Sequence, residues 1–440
     1  MNHYWQKEIE TMPRRELEAL QLERLKGAVA RVWNSAPRQR AKLEAAGVRP
    51  EDIRTLDDLR RIPFTVKDDF RDNYPFGLFA RPMKEIVRLQ GSSGTTGKPT
   101  MAGYTRADLD TWANLIARLA AAVGVSDEDI AQISFGYGLF TGGFGLHYGL
   151  EKLGATVLPL SSGNTERQLM LMEDFGVTVL IATPSYATYL SETVREKGLR
   201  DKLRLRVGLF GGEGCTHEMR RRIEDNLGII ATDNYGMCEL TGPGISGECL
   251  ERNGMHFAED HFLPEIIDPD TGESLPEGSL GELVVTTLTK EALPVLRYRT
   301  RDITRLTYEP CRCGRTHARM DKVTGRSDDM LIIKGVNVFP SQIEGVLMRM
   351  EHVSPHYLLL VRREGYMDTL EVQVELNDEA LLEKFALLEG LQGRIKERLR
   401  SVLGLGAKVT LVGPKTIERF QGKAKRVIDL RNNESATTNR

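Results

Sequence analysis

Leu89-Gln90-Gly91-Ser92-Ser93-Gly94-Thr95-Thr96-Gly97-Lys98-Pro99-Thr100 crowds glycines, hydroxyl side chains and one lysine into a single short stretch. The apolar run Ile86-Val87-Arg88-Leu89 in front of it reads as a strand. Behind it, Thr105 and Asp108 have capping-box spacing, and Leu109, Trp112, Ile116 and Leu119 recur at helical period. The stretch is therefore a glycine-rich loop between ordered elements. Glycine lets neighbouring backbone N–H groups turn toward one anion, and the hydroxyls and Lys98 add donors. Phosphate is the ligand this chemistry points to. A flexible surface loop is the alternative, and it would have no use for so many donors around a lysine. The common P-loop is excluded: five residues separate Gly91 from Gly97 where that pattern has four, and Pro99 follows Lys98 where it has Ser or Thr.

Length and composition bound the rest. A chain of 440 residues exceeds one ordinary core, so two or three domains are expected. With 28% charged and 40% hydrophobic residues the composition is that of a globular protein. A net charge of −2 gives no global attraction to nucleic acid or to anionic membrane, and neither is expected as a partner. No apolar run reaches transmembrane length, and the first residues carry no signal-peptide core, so a cytoplasmic location is expected. Five cysteines, an odd number, argue against a disulfide framework.

The amphipathic stretch 13–34 reads as a packing helix. From Ile130 strands alternate with helices: strands over 130–137, 156–160, 177–182, 205–210 and 229–232, helices over 143–153, 167–175, 184–198 and 218–227. That alternation implies parallel βαβ units, whose ligands gather at the carboxyl ends of strands. Gly136-Tyr137-Gly138, Gly211-Gly212-Glu213 and Tyr235-Gly236-Met237-Cys238-Glu239 are each expected just after a strand. From about residue 255 strands and turns dominate, as in an antiparallel subdomain. Beyond residue 328 the pattern is α+β, enough for a small separate domain. The polar stretch after Leu430 reads as a disordered tail.

The glycine-rich loop resembles the signature of the adenylate-forming enzymes, the superfamily of acyl-CoA synthetases and luciferases. Tyr235-Gly236-Met237-Cys238-Glu239 resembles the superfamily's Y-G-x-T-E motif, with Cys238 at the threonine. Arg297 to Asp302 resembles its R-T-G-D block, with Arg301 at the glycine. Gly325-Arg326-Ser327-Asp328 is similar to its hinge motif, and Thr416 to Arg426 to its last motif. Residues 134–149, Glu259-Asp260-His261-Phe262, the run 286–302 and the run 327–344 resemble the phenylacetate–coenzyme A ligase family in particular. The likeness covers nearly the whole chain.

The resemblance implies an α/β fold: a large N-terminal adenylate-forming domain (residues 1–326) with a parallel βαβ sheet and an antiparallel subdomain, then a small α+β C-terminal mobile domain (327–430) and the tail 431–440. It implies ATP, Mg²⁺ and coenzyme A as cofactors, a small aryl carboxylic acid as substrate, and a homodimer. The ATP site would comprise Ser92, Ser93, Gly94, Thr95, Thr96, Gly97, Lys98, Gly212, Glu213, Asn234, Tyr235, Gly236, Met237, Cys238, Asp302 and Arg326. A carboxylate offers two acceptor oxygens, which suits Asp302 to ribose hydroxyls, and Glu239 is suited to Mg²⁺. A thiol is a weaker donor than the usual hydroxyl, so Cys238 would weaken a contact to the α-phosphate. Lys423 would be catalytic, neutralising charge on the attacking carboxylate and α-phosphate. Asp328 would be the hinge, Lys334 and Gly335 would line the coenzyme A tunnel, and Tyr137 and Phe140 the acid pocket. Gly211-Gly212-Glu213-Gly214-Cys215 carries less bulk than the family's G-A-E-P-W, which implies a roomier pocket and a larger acid such as indoleacetate. Transfer to a carrier-protein thiol in place of free coenzyme A is a further alternative.

Cys249, His256, Cys311 and Cys313 offer Cys and His ligands of the kind structural zinc takes. Their spacing is not that of a zinc finger, and four unrelated residues is the competing reading. His147, His217 and His317 show no evident acid–base partner in the sequence.

Overall fold

The computed structural model describes residues 3–92, 99–327, 331–333, 336–364, 367–419 and 426–431. An N-terminal helix, Arg14–Ser35, buries Leu17, Leu25, Ala28 and Val32 along one stripe. Strands β1 (Arg88–Gly91) and β2 (Met101–Tyr104) then form an antiparallel pair that frames the glycine-rich stretch. The helix Arg106–Ala122 starts where the capping box requires. Thr105 Oγ1 accepts from the Asp108 N–H at 3.1 Å, and Asp108 accepts from the Thr105 N–H at 3.0 Å.

Next come β3 (Ile130–Ile133), β4 (Thr156–Leu158), β5 (Val179–Ala182), β6 (Val207–Gly211) and β7 (Ile230–Met237), with helices Thr141–Leu153, Thr165–Asp174, Pro184–Glu196 and His217–Leu227 between them. The strands pair in parallel in the order β7-β6-β5-β3-β4. Alternation along β5 and β6 divides the core. Val179, Ile181, Val207 and Leu209 face the cluster around Trp112, Ile116 and Leu146, whereas Leu180, Ala182 and Phe210 face Tyr186, Leu190 and Ile223. Helices therefore cover both faces, as parallel sheets require.

The same sheet continues antiparallel through β8 (Gly242–Glu248) and β9 (Met255–Phe257). A second, antiparallel sheet begins with β10 (Phe262–Ile267), β11 (Gly281–Thr287) and β12 (Tyr298–Thr304). The edge of the large sheet is completed by β13 (Leu306–Thr307) and β14 (Arg319–Met320), while β15 (Gly325–Arg326) pairs with β12. The antiparallel region is thus shared between two sheets.

Beyond it lie the hairpin β16 (Leu331–Ile333) and β17 (Val336–Val338) and the helix Pro340–Leu347. A four-stranded sheet follows, of β18 (Val353–Glu364), β19 (Met367–Leu376), β20 (Lys408–Val412) and β21 (Val427–Asp429), in the order β20-β19-β18-β21. The helix Phe385–Leu403 packs on it through Leu391, Ile395 and Leu399. The chain is α/β with a large N-terminal and a small C-terminal domain, as expected.

Several boundaries differ from the sequence reading. β3 stops at Ile133 instead of Tyr137, so Gly136-Tyr137-Gly138 lies in a loop. β7 extends five residues past Thr232, because β8 folds back to pair with it. Tyr235-Gly236-Met237 therefore lies within a strand and not after one. The helices Pro184–Glu196 and His217–Leu227 start within a residue of expectation, each capped by a threonine, Thr183 or Thr216.

Candidate active site

The neck of the glycine-rich stretch is pinched. The Ser92 N–H donates to the Thr100 carbonyl at 3.0 Å, and the Thr100 N–H returns a bond to Ser92 Oγ at 3.1 Å. The neck docks on the segment after β3: Gly91 N–H bonds the Leu139 carbonyl at 2.8 Å, and the Gln90 amide bonds the Phe140 carbonyl at 3.2 Å. Ser93, Gly94, Thr95, Thr96, Gly97 and Lys98 lie outside the described residues, as do Asp328, Lys334, Gly335 and Lys423.

Three expected elements converge beside this neck. Buried Cys238 places Sγ 3.9 Å from the Thr100 carbonyl. Burial pushes its thiol up, with the Glu239 carboxylate adding to the effect, so the group stays protonated. Two residues earlier, a Cβ on Gly236 would sit 1.9 Å from the Gly242 carbonyl oxygen; only glycine lets β7 and β8 approach there. Tyr235 then reaches out of the large sheet to the second one. Its hydroxyl donates to Asp302 Oδ2 at 2.6 Å, while Arg326 Nη1 lies 3.4 Å from Asp302 Oδ1. Burial, followed by the Asp302 charge, pushes the Tyr235 phenol well up and keeps it a donor.

The arginines before Asp302 have other tasks. Arg297 forks onto Glu265 at 2.9 and 3.0 Å, and Arg299 forks onto Glu282 at 2.6 and 3.1 Å. Arg301 has φ +67°, the left-handed region, which explains why the superfamily pattern has glycine at this place.

At the end of β6, Gly212 also has positive φ, +84°. Glu213 then accepts from the Ser185 N–H at 2.7 Å, joining the ends of β5 and β6. Asn234 is buried and donates to the Phe210 carbonyl at 2.8 Å. Met237 is half-buried, its sulfur 3.9 Å from the Tyr235 hydroxyl, and Glu239 is buried. Tyr137 and Phe140 are half-buried beside the neck. Tyr137 packs edge-on to Phe144 at 5.1 Å. Its hydroxyl lies 3.0 Å from His147 Nδ1, and His147 Nε2 lies 3.0 Å from Glu151 Oε1. The sequence reading left His147 without a partner; the i,i+4 spacing of His147 and Glu151 on one helix was the available signal. Ser185 was also missed, because a backbone N–H leaves no mark in sequence. Cys215, at the end of the Gly211–Cys215 run, joins Met219 and residues of the C-terminal domain in one apolar cluster.

Cys249, His256, Cys311 and Cys313 come together far from each other in sequence. All are buried, and their ligand atoms lie within 4.8 Å of one another. Cys249 Sγ and Cys311 Sγ are 3.8 Å apart, and Cys313 Sγ is 3.3 Å from His256 Nε2. A tetrahedral ion with metal–sulfur bonds of about 2.3 Å puts two sulfurs about 3.8 Å apart, so the donor set fits zinc. The Cys313 thiol is held low, first by the Cys249 thiol bonding to it and then by the His256 imidazole. His256 Nδ1 is buried without a hydrogen-bond partner.

The fold and the converging motifs define an adenylate-forming enzyme, and comparison with known proteins agrees. The AMP-binding enzyme model matches residues 34–289, and the AMP-binding enzyme C-terminal domain model matches 335–431. A phenylacetate–coenzyme A ligase of Thermus thermophilus is 50% identical over 97% of this chain and 99% of its own. That of Escherichia coli K12 is 50% identical over 96% and 97%. The chain belongs to the phenylacetate–coenzyme A ligase family of the AMP-binding enzymes, and it is an acid–thiol ligase. Among solved structures, 2-hydroxyisobutyryl-CoA ligase in its post-adenylation state superposes with TM-score 0.91 at 32% identity, covering 97% of this chain and 92% of that one. The same ligase in the thioesterification state, with 2-HIB-AMP and CoA, gives 0.72. Among the described residues no helix is long and apolar enough to cross a membrane.

Proposed function

We propose that the chain joins phenylacetate or a close aryl acid to coenzyme A, through an acyl-adenylate made from ATP with release of pyrophosphate and then of AMP. The observation that carries the site assignment is the 2.6 Å bond between Tyr235 and Asp302, which joins motifs of two sheets beside the neck of the glycine-rich stretch. On this reading Ser92 to Lys98 hold the β- and γ-phosphates. Gly212, Glu213, Asn234, Tyr235, Gly236 and Met237 receive the adenine, Asp302 and Arg326 the ribose, and Cys238 faces the α-phosphate. Glu239 holds Mg²⁺. Lys423 supports the attack of the carboxylate, since a fixed cation contributes most where charge gathers in the transition state. Tyr137 and Phe140 line the acid pocket. The small domain begins after residue 326, turns about Asp328, and brings Lys334 and Gly335 to coenzyme A in the second half-reaction. A cytoplasmic homodimer, and a structural zinc at Cys249, His256, Cys311 and Cys313, complete the reading.

Purified protein with ATP, magnesium and a panel of aryl acids, followed for AMP with and without coenzyme A, tests it. AMP that appears only with one acid and coenzyme A together supports the ligase and names the substrate. Pyrophosphate without thioester would move the acceptor to a carrier protein. A strong preference for indoleacetate over phenylacetate would identify a larger acid as substrate.

A further inference from the structure

The Cys249/His256/Cys311/Cys313 cluster has a neighbour that the ligase reaction does not use. Cys311 and Cys313 lie on the irregular loop between β13 and β14, whereas Cys249 follows β8 and His256 lies in β9. Two donors from one loop and two from the β8–β9 hairpin make the cluster a cross-link between the two. The outer face of that loop is covered by the first residues of the chain. The Tyr4 hydroxyl donates to the Cys313 carbonyl at 2.5 Å. Arg315 donates to the His3 carbonyl at 2.6 Å and pairs with Glu10 at 2.6 Å, and both side chains are buried. The Arg315 guanidinium also lies 4.8 Å from the centre of the Tyr4 ring. Thr316 Oγ1 donates to the Met12 carbonyl at 2.6 Å. Glu10 in turn accepts from the N–H groups of Trp5 and Gln6 at 2.9 and 2.7 Å. Residues 3–12 are thus bound by the Cys313 carbonyl and by the side chains of Arg315, Thr316 and His317 on that loop, while Trp5 and Gln6 also bond Asn114 and Arg118 of the helix Arg106–Ala122; a loop without regular structure holds its share of these groups in place only if something else fixes it.

Resting on the zinc reading above, we propose that the bound ion is a clamp for the N-terminal segment. With zinc, the loop 311–317 presents its carbonyl at Cys313 and its guanidinium at Arg315 in register for Tyr4 and Glu10. Without it, three thiols and an imidazole lose their common ligand, the loop loosens, and residues 3–12 detach together while the parallel sheet stays folded. The ion is then a determinant of order at one edge of the large domain, separate from the adenylate chemistry.

Zinc content of the full-length protein, measured by plasma mass spectrometry, is compared with amide hydrogen exchange before and after stripping by a chelator, in the natural chain and in Tyr4→Phe. One zinc per chain is expected. Stripping should speed exchange in 3–12 and in 311–317 about tenfold or more, and leave Pro184–Glu196 unchanged. Tyr4→Phe touches no ligand; it should keep its zinc and speed exchange in 3–12 alone. A protein that binds no zinc overturns the metal reading, and the clamp with it. One that binds zinc yet keeps the exchange of 3–12 within about twofold on stripping overturns the clamp alone.

Discussion

Arg301 is the residue at which this chain departs from the superfamily pattern at a measurable cost. Its φ of +67° lies where an L-residue is disfavoured by roughly 1–2 kcal/mol. In partial return its guanidinium lies 3.5 Å from Glu282, but its side chain is about one-third exposed and Glu282 is already forked by Arg299. Such a pair contributes about 0–1 kcal/mol, and here the low end applies. Arg301→Ala loses the pair and keeps the strain. Arg301→Gly also loses the pair and relieves the strain, at a cost of about 0.4–1 kcal/mol from the freer unfolded chain. Taking one from the other, glycine should be more stable than alanine by about 0.5–1 kcal/mol, the reverse of the usual order inside a strand. In so large a domain, with an unfolding entropy of roughly 2.1 cal/mol/K per residue, that is about 1 °C in Tm. Thermal unfolding of the two variants side by side reads it directly. An alanine variant as stable as the glycine variant would refute the claim that the backbone, and not the side chain, sets the preference at this position.

Tyr235→Phe removes the donor to Asp302. A charge-assisted bond of this kind is worth about 1.5–3 kcal/mol, so KM for ATP should rise about tenfold or more while kcat falls less; initial rates over an ATP series check it. Gly236→Ala sets a methyl group against the Gly242 carbonyl oxygen, and should cost about 3 kcal/mol or more, visible in denaturant melts. His261 contributes to the pH dependence, together with His317, which burial also pushes down. Burial pushes His261 down to about 4, against the pull of Asp260 beside it. The unfolded chain therefore binds the proton first. Stability is complete above the ordinary histidine range near 6.5 and is lost as pH falls toward 4, by about 3 kcal/mol in all. In His261→Gln the loss between pH 6.5 and 4 should be smaller by about that amount in urea melts at stepped pH.

What could be read in advance followed from local chemistry. Thr105 with Asp108, Thr183 before Pro184, and Thr216 each mark a helix start through hydrogen bonds that depend on a few neighbouring residues. The motif residues were legible for a similar reason: Gly212 and Gly236 are fixed by backbone conformation and close approach. What escaped was set by pairing between distant strands. β8 lengthens β7 past Thr232, and the short strands β13 to β15, two residues each, have too little sequence to show a period. The pair Tyr235 and Asp302 was named as two residues of one site, but that one hydroxyl spans two sheets depends on how those sheets are placed.

The polar contacts that join the small domain to the large one differ in kind from those inside either. Arg426 stacks on Tyr357 at 4.4 Å and donates to the Pro355 carbonyl at 3.1 Å, both within the C-terminal domain, but reaches Ser185 of the large domain only at 3.5 Å. Arg349 meets Glu218 at 2.8 Å with most of its side chain in water. Exposed pairs of this sort contribute about 0–1 kcal/mol each. Arg220, by contrast, is buried between Asp233 and Glu248 at 2.7 Å to both, where removing one partner strands a charge. Among the described residues the weak polar pairs between the domains flank an apolar cluster in which Cys215 and Met219 of the large domain pack with Ile343 and Leu347 of the small one. On the reading proposed above, a change of domain arrangement would therefore have to part that apolar cluster as well as the exposed pairs, while the buried Arg220 pairs stay intact inside the large domain.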